Sequence, residues 1–460
     1  MPDDQRQLPP GAARQPGTSW DDLAAADTKP VPDFLLGEHY KYLGSDPIPT
    51  ARYTSPDFYS QEVEKMWPNV WQFAARLEEL PNPGDTVVYE NVGKSWLLTR
   101  QNDGSIKAMQ NVCLHRGRKL RTESGKASSF YCGYHGFNWN IDGSLRNIPC
   151  RWDFPHLTNE KMKLPEAQVG VWEGYVFIKE AEGGPTLEEF LAPLPEHFAR
   201  WGQDDCYTAV WAARVCDANW KAVAEAFMEA YHVIATHPQL MDFSGDCMAK
   251  YYVLSDNVNL ALTPFGVPSP HLGSEPKDPQ WVIDSYLKNN GRVAVGIGQL
   301  QVQPGQTARA AMGAVNRKRF GEAAGIDASH YSDCELQDAF TYNVFPNFAP
   351  WGGFMPNVVY RWRPWGDADH TLMEVRVLAR QPKGAPKPPI PKMRMLTGAE
   401  TWADVAEFGP LGGVLNQDWD NLPFVQAGMK AMKSGQIELA NYQEVRVRHF
   451  HQTLDKYLKS

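Results

Sequence analysis

Two short segments, each with one cysteine and one histidine, constrain this chain more than any other feature. Cys113 and His115 form a C-x-H pair in "CLHRG", and Cys132 and His135 form a C-x-x-H pair in "CGYHGF". One Asp-Gly dipeptide precedes the two pairs and another follows them, within runs of alternating polar and apolar residues that are typical of β-hairpins. The sequence therefore predicts that both pairs lie on loops of a small antiparallel β domain.

The mixture of ligand types within each loop indicates which metal group the pairs would hold. Thiolates favour zinc or iron–sulfur iron, and imidazole suits both metals. A zinc site usually takes two cysteines from one loop, whereas each loop here offers one cysteine and one histidine. That mixture suits a Rieske [2Fe–2S] cluster, in which one iron takes both cysteines and the other takes both histidines. Zinc and four unrelated residues are the alternatives. The other five cysteines have no histidine at ligand spacing and are predicted to be buried apolar residues.

A second group of candidate ligands lies in the segment "NWKAVAEAFMEAYHVIATHPQ". A helix from 219 to about 235 would place Glu229 and His232 on one face, at i and i+3. His237 does not share that face, so we expect it past a helix end or distortion. A carboxylate would complete a 2-His-1-carboxylate triad, which leaves positions for oxygen on Fe(II). Asp418 and Asp420 in "GGVLNQDWDNLPF" are both candidates, and Asp420 also suits a surface or helix-capping role.

Length and residue pattern predict the domain organisation. A chain of 460 residues is too long for one ordinary core. We expect an N-terminal tail over 1–50, a β domain carrying the cysteine and histidine pairs over 51–165, and a catalytic domain over 166–460. The later strands and the C-terminal helices predict an antiparallel sheet packed with helices, so the fold class is α+β.

Composition excludes several classes of protein. A net charge of −9 argues against nucleic-acid binding. No apolar run approaches the roughly 18 residues of a membrane span, and the N-terminus lacks the apolar core of a secretory signal. Seven cysteines, an odd number scattered over a long chain, do not form a disulfide framework. We therefore expect a soluble cytoplasmic protein.

The segments "CLHRG", "CGYHGF", "NWK", "EAYHVIATHP" and "NQDWDN" occur in this order, and together they resemble the oxygenase (alpha) subunit of Rieske non-haem iron ring-hydroxylating oxygenases. The resemblance covers the chain from about residue 50 onward. It implies a helix-grip catalytic domain with an enclosed substrate cavity. The cluster ligands that it implies are Cys113, His115, Cys132 and His135. The mononuclear iron ligands that it implies are His232, His237 and Asp418.

The same resemblance implies a homotrimer in which the cluster of one subunit passes electrons to the iron of its neighbour. A carboxylate three residues before the first iron-binding histidine would bridge the two sites, and here that residue is Glu229. The family more often has Asp at this position; some members that act on quaternary amines, among others, carry Glu. One carboxylate can accept N–H bonds from two histidines, which orients both; here these would be His135 and His232.

We expect a terminal oxygenase that uses O2 to hydroxylate an aromatic or polycyclic hydrophobic small molecule. Electrons would come from NAD(P)H through a separate ferredoxin or flavin reductase, because no nucleotide-binding glycine fingerprint is evident. A beta subunit is possible. An O- or N-demethylase acting on a methoxy or quaternary-amine substrate is the close alternative. A Rieske electron carrier fused to a ligand-binding module would lack the second iron, and a di-iron carboxylate enzyme would need a second E-x-x-H segment.

Four basic residues surround the first cysteine and histidine pair. They are Arg116, Arg118, Lys119 and Arg121. One interpretation is a solvated loop. The other is a docking site for an acidic reductase partner.

Overall fold

The computed structural model describes residues 8–459 except 274, 290–299, 355–356 and 383. It divides into two compact units, a smaller unit over 61–190 and a larger unit over 8–60 and 191–459. No helix among these described residues is long and apolar enough to cross a membrane. The α+β class with antiparallel sheets is confirmed.

The smaller unit is built on a seven-stranded antiparallel sheet. In spatial order its strands are Gln72–Arg76, Tyr175–Lys179, Glu166–Trp172, Ile106–Gln110, Lys94–Arg100, Asp85–Asn91 and Gly125–Lys126. A second sheet of three short strands contains Phe130–Tyr131, Asn138–Trp139 and Leu145–Asn147. The division expected at residue 165 falls within the larger of these sheets, because Glu166–Trp172 and Tyr175–Lys179 pair with its earlier strands.

Helical structure in and around the smaller unit is short. The helix Pro56–Gln61 continues as a π-helical turn over Glu62–Met66 and ends in the 3₁₀ turn Trp67–Asn69, which contains Pro68. Further 3₁₀ turns lie at Leu77–Glu79 and Arg151–Asp153. The helix Leu187–Leu191 leads out of the unit.

The larger unit contains a five-stranded sheet and a three-stranded sheet. The five strands, in spatial order, are Ala349–Pro350, Asn357–Pro364, Thr371–Arg380, Cys206–Cys216 and Arg394–Leu396. The three strands are Lys250–Val253, Val258–Thr263 and Ala339–Val344. All pairs are antiparallel except that of Cys206–Cys216 with Arg394–Leu396. A two-stranded ladder joins Ile48–Pro49 to Gln436–Ile437.

Two long helices dominate the end of the chain, Pro410–Ala431 and Val445–Lys459. The other α-helices of the larger unit are Trp20–Ala25, Ala51–Thr54, Leu194–Phe198, Trp220–Glu225, Val233–Thr236, Pro279–Asn289, Ala308–Ala324 and Asp333–Gln337. Its 3₁₀ turns are Asp33–Leu35, Gln203–Asp205, Pro238–Leu240, Asp246–Met248, Pro270–Leu272, Trp402–Asp404 and Ala406–Phe408.

The segment expected to be an N-terminal tail packs within the larger unit. Trp20 is buried, and its indole Nε1 donates to Asp338 Oδ2 at 3.1 Å. Ser19 caps the helix Trp20–Ala25 by accepting the Asp22 backbone N–H. A buried indole anchors this segment, although the surrounding sequence is rich in proline and small residues that give no periodic signal.

Candidate metal centres

The two loops with the cysteine and histidine pairs have the same backbone pattern. The Cys113 N–H donates to the Arg118 carbonyl at 2.8 Å, and the Gly117 N–H donates to the Cys113 carbonyl at 2.9 Å. The second loop repeats both bonds, from Cys132 to Phe137 at 2.8 Å and from Gly136 to Cys132 at 3.0 Å. Each glycine lies four residues after its cysteine with a φ near +80°, a conformation that a residue with a side chain rarely adopts. Two equivalent tight loops thus present their ligands in equivalent ways.

The ligand side chains separate by type. Both cysteines are 1% exposed, whereas His115 is half-buried and His135 is exposed. The two thiols lie within hydrogen-bonding reach of each other, and the two imidazole rings are 4.7 Å apart between centroids. His115 Nδ1 is buried and has no hydrogen-bond partner among the described residues. A thiol pair inside and an imidazole pair outside fit a [2Fe–2S] cluster with one iron held by each pair.

Residues around these loops fix their shape. Asn111 Oδ1 accepts the backbone N–H groups of Leu120 and Arg121, which closes the first loop. The His115 ring stacks on Phe137 with centroids 4.6 Å apart and planes 8° apart. Phe137 belongs to the buried apolar cluster that also contains both cysteines. Hydrogen bonds to Asn111 and packing against the buried apolar cluster therefore fix the shape of the loops.

The structure brings His232, His237 and Asp418 together from distant parts of the sequence. His237 Nε2 lies 2.9 Å from Asp418 Oδ1, and His232 Nε2 lies 3.5 Å from the same oxygen. One potential ligand atom from each residue lies within 4.8 Å of the others. Asp418 is buried within the helix Pro410–Ala431, whereas Asp420 is exposed. The geometry therefore favours Asp418 of the two candidates.

The other nitrogen of each histidine is already occupied, which leaves Nε2 for the metal. His232 Nδ1 bonds Glu229 Oε1 at 2.8 Å, and His237 Nδ1 bonds Gln417 Oε1 at 2.9 Å. Both acceptors place a proton on Nδ1, so Nε2 is the nitrogen that each ring can offer to a metal. Two imidazoles and one carboxylate around a common point fit a mononuclear Fe(II) site with open positions.

Charge favours a cation at this point. Burial lowers the pKa of His232, but the carboxylates of Glu229 and Asp418 outweigh this effect and raise it to about 9. A bound metal must therefore displace a proton from His232. His237 and Asp418 are almost fully buried, so bulk water competes little with these two side chains for the ion.

The local backbone differs from the predicted helix over 219–235. Two short helices, Trp220–Glu225 and Val233–Thr236, flank a non-helical stretch that contains Glu229. The predicted i to i+3 helical spacing is thus wrong. The contact to His232 forms because the Glu229 carboxylate also accepts the His232 backbone N–H at 3.0 Å, just before the second helix begins. His237 lies just past the end of that helix, as expected.

A cavity of about 560 Å³ opens beside the triad. Four glutamates line it, namely Glu225, Glu229, Glu438 and Glu444, and the described lining contains no lysine or arginine. Most of the remaining lining is apolar, with Leu422, Met429 and Val447 among it. Burial and the neighbouring carboxylates raise the pKa of Glu444 to about 7. The aromatic residues Tyr360 and Trp362 are buried against Phe227 and do not line this cavity.

Several residues around the iron triad and the cavity were not predicted from the sequence. Gln417 orients His237, yet the sequence showed it only as the neighbour of Asp418. Glu225 also faces the cavity and accepts hydrogen bonds from Tyr53 Oη at 3.0 Å and His451 Nε2 at 2.9 Å. These three lie more than 170 positions apart, so no local pattern could link them. The exposed Cys150 corrects the expectation that all five remaining cysteines are buried.

Two family models match the chain. The model described as the Rieske [2Fe–2S] domain matches residues 70–158. The model described as the ring hydroxylating alpha subunit (catalytic domain) matches residues 198–460, more than half of the chain. The first model contains both cysteine and histidine loops, and the second contains the triad.

Curated relatives include enzymes of two substrate types. The glycine betaine monooxygenase oxygenase subunit of Chromohalobacter salexigens is 28% identical over 48% of this chain and 49% of its own length. The carnitine monooxygenase oxygenase subunit of Escherichia coli K12 is 29% identical over 46% and 58%. The naphthalene 1,2-dioxygenase large oxygenase component of Pseudomonas aeruginosa is 33% identical over 39% and 42%. The chain thus spans about half the length of the curated relatives it matches.

Solved structures match over most of their length. A quaternary ammonium Rieske monooxygenase in complex with L-carnitine has a TM-score of 0.64 at 19% identity, over 90% of this chain and 96% of that one. Naphthalene 1,2-dioxygenase with bound phenanthrene has a TM-score of 0.64 at 20% identity, over 91% and 94%. These likenesses show the shared fold. With the Rieske cluster and mononuclear iron that its two matched domains imply, this chain belongs to the ring-hydroxylating alpha subunit family of Rieske non-haem iron oxygenases.

Proposed function

We propose that this chain is the terminal oxygenase component of a Rieske system and oxidises a quaternary-amine substrate at an N-methyl group. The observation that carries the oxygenase assignment is the convergence of His232, His237 and Asp418 on one point, with both histidine Nδ1 atoms already bonded. In this proposal those three residues bind the mononuclear iron, and Cys113, His115, Cys132 and His135 hold the cluster. Bound Fe(II) supplies open coordination positions for O2.

The protein residues have separate tasks in such a reaction. Glu229 and Gln417 hold the two imidazoles in one tautomer and one orientation. The apolar part of the cavity wall excludes water and holds the substrate close to the triad. The overall reaction consumes O2, two electrons and two protons, converts a methyl group to a hydroxymethyl group, and releases water. The hydroxymethyl group then loses its O–H proton and leaves as formaldehyde, while the electron pair of the broken C–N bond stays on nitrogen and gives a tertiary amine.

The acidic cavity supports a cationic substrate over a neutral ring. Carboxylates without a facing lysine or arginine attract an ammonium group, and the apolar side chains suit its methyl groups. Relatives named for glycine betaine, carnitine and choline agree with this chemistry. The earlier expectation of an aromatic or polycyclic substrate is the second candidate, supported by the naphthalene 1,2-dioxygenase relative.

Exposed apolar side chains support assembly with further subunits. Near the triad, Tyr231, Ile234 and Phe424 are each at least 40% exposed and lie outside the cavity lining. The cluster loops carry a second exposed group, Tyr131 and Tyr134, and Trp152 lies in a neighbouring loop. Apolar patches of this kind mark protein contacts. We propose a homotrimer in which Glu229 also accepts an N–H bond from His135 of a neighbouring subunit, which would carry electrons between the two sites.

Electrons would reach the cluster from NAD(P)H through a separate ferredoxin or flavin reductase in the cytoplasm. Arg116 and Arg118 are exposed beside His115, and Lys119 pairs with Glu90. Reversing the charge of Arg116 and Arg118 should lower the rate with an acidic reductase and leave turnover with a small chemical reductant unchanged. An unchanged reductase-dependent rate would contradict docking at this loop.

Metal content tests the oxygenase assignment first. Anaerobically purified protein should hold about three iron and two acid-labile sulfide per chain, and His232→Ala should retain about two of each. Two iron in both proteins after reloading with Fe(II) would instead indicate an electron carrier.

Substrate class is tested separately, by formaldehyde release and O2 uptake with glycine betaine or carnitine against naphthalene. Glu438→Gln should raise KM for the cation only; oxidation of naphthalene alone would favour the second candidate.

A further inference from the structure

A second group of metal-binding side chains lies outside the site described above. Asp246, Cys247 and His271 each offer one ligand atom, and these atoms lie within 4.8 Å of one another. None of them takes part in the cluster loops, the iron triad or the acidic cavity. The group combines a carboxylate, a thiol and an imidazole, which is a set of donors that Zn²⁺ accepts.

The buried carboxylate is the part of this group that needs a ligand. Asp246 is 1% exposed. Its Oδ1 accepts the Cys247 backbone N–H and the Ser269 hydroxyl, both at 2.8 Å. Its Oδ2 is buried and has no hydrogen-bond partner among the described residues. His271 Nε2 lies 3.9 Å from that oxygen, too far for a hydrogen bond. A buried carboxylate oxygen without a partner is costly, and a cation at this point would satisfy it.

Ser269 holds the two halves of the group together. Its hydroxyl bonds Asp246, and the same oxygen accepts the His271 backbone N–H at 3.1 Å. Its backbone N–H donates to the Met241 carbonyl at 2.7 Å. The 3₁₀ turns Asp246–Met248 and Pro270–Leu272 are thereby held side by side. These hydrogen bonds within the protein hold the two turns in place, which lowers the entropy that metal binding must overcome.

We propose that Asp246, Cys247 and His271 form a second metal site that binds Zn²⁺, with a fourth position open to solvent. Asp246 and Cys247 are buried while His271 is exposed, so an ion can enter from the histidine side. Nitrogen and oxygen ligands of tetrahedral zinc lie about 3.3 Å apart, given bonds of about 2.0 Å. The observed 3.9 Å is wider than this, and wider than the 2.9 Å between His237 Nε2 and Asp418 Oδ1. We therefore expect weaker binding here than at the iron triad.

Cobalt distinguishes this site from the others, because only here would a free thiolate bind the ion. The test uses holoprotein with cluster and mononuclear iron loaded, in a Cys150→Ser background that removes the exposed thiol. Added Co²⁺ should produce a thiolate-to-cobalt charge-transfer band in the near ultraviolet. Added Zn²⁺ should abolish it, and about one equivalent of zinc should remain after desalting. His232, His237 and Asp418 contain no thiolate and cannot give that band.

Two variants and one control complete the test. Cys247→Ser should lose the band, and His271→Ala should lose at least about 90% of the retained zinc. Cys216→Ser removes another buried thiol and should change neither signal. If Cys247→Ser fails to fold, alkylation of Cys247 in the unsubstituted protein replaces it, and Zn²⁺ should slow that reaction. Retention of the band in Cys247→Ser, or alkylation at the same rate with and without Zn²⁺, would overturn the proposal.

Discussion

The cluster loops and the iron triad are both candidate metal sites, but their residues are brought together in different ways. Cys113 to His135 span one continuous stretch of chain, and two equivalent loops position all four side chains locally. The triad joins His232 and His237 to Asp418, which lies about 180 positions later. The cluster loops depend on hairpin geometry, whereas the triad depends on the packing of one long helix against the segment after Trp220–Glu225. The two should therefore respond differently to substitution.

The largest effect on iron content and turnover is expected at one of the two aspartates of "NQDWDN". Asp418→Ala should abolish the mononuclear iron and lower turnover by more than about 100-fold, since loss of a ligand should exceed the 10–100-fold cost of losing a residue that merely orients one. Asp420→Ala should keep both, because that side chain is exposed. Iron content and coupled O2 uptake measure this. Equal loss in both variants would mean that the helix, rather than the carboxylate, carries the effect.

The reciprocal substitution tests whether the two sites are independent. Cys132→Ser should eliminate the labile sulfide and the cluster absorbance, because this thiol is one of only two on the cluster loops. The triad should still bind about one Fe(II) per chain, since none of its residues belongs to those loops. Iron and sulfide assays after anaerobic reloading check both statements. Loss of the mononuclear iron as well would show that the triad needs an intact cluster.

Gln417 gives a smaller and more specific effect. Gln417→Leu removes the acceptor of the His237 Nδ1 proton and should weaken Fe(II) binding about 10–100-fold with little change in the cluster spectrum. Gln417→Glu keeps an acceptor and should restore most of the affinity. Gln239→Leu is the matched control, because Gln239 contacts Gln417 but neither histidine ring in the described network. Equal weakening by Gln417→Leu and Gln239→Leu would indicate general loosening of this region.

The cluster loops could be predicted from the sequence more fully than the iron triad. The cluster motif, the α+β class and the order of the matched segments could be predicted, because spacing and alternation are local properties. The choice between Asp418 and Asp420 could not be made from spacing alone, since it depends on which face of the helix Pro410–Ala431 is buried. Gln417 escaped prediction because its partner His237 lies 180 positions away. The Asp246–His271 group escaped prediction because its aspartate, cysteine and histidine do not follow a known ligand spacing. The Glu229–His232 contact was predicted for the wrong reason, because Glu229 lies in a non-helical stretch and not on a continuous helix.

The last comparison contrasts the stability of the two units in acid. Burial lowers the pKa of His197 from 6.5 to about 4, and the ring bonds Tyr342 Oη and stacks on Phe34. A depressed histidine pKa means that the unfolded chain binds the proton first, so the free energy of unfolding falls as pH drops from about 6.5 to about 4, by up to about 3 kcal/mol.

The described histidines of the smaller unit are not fully buried, so the larger unit should unfold first on acidification. His197→Gln should reduce this dependence without removing it, because burial also lowers the pKa of His449 to about 4. His330→Gln, at an exposed position, should leave it unchanged. Denaturant unfolding between pH 4 and 8 is followed by tryptophan fluorescence and by cluster absorbance. Simultaneous loss of both signals would contradict earlier unfolding of the larger unit. The same pH slope in His197→Gln would contradict the role of His197.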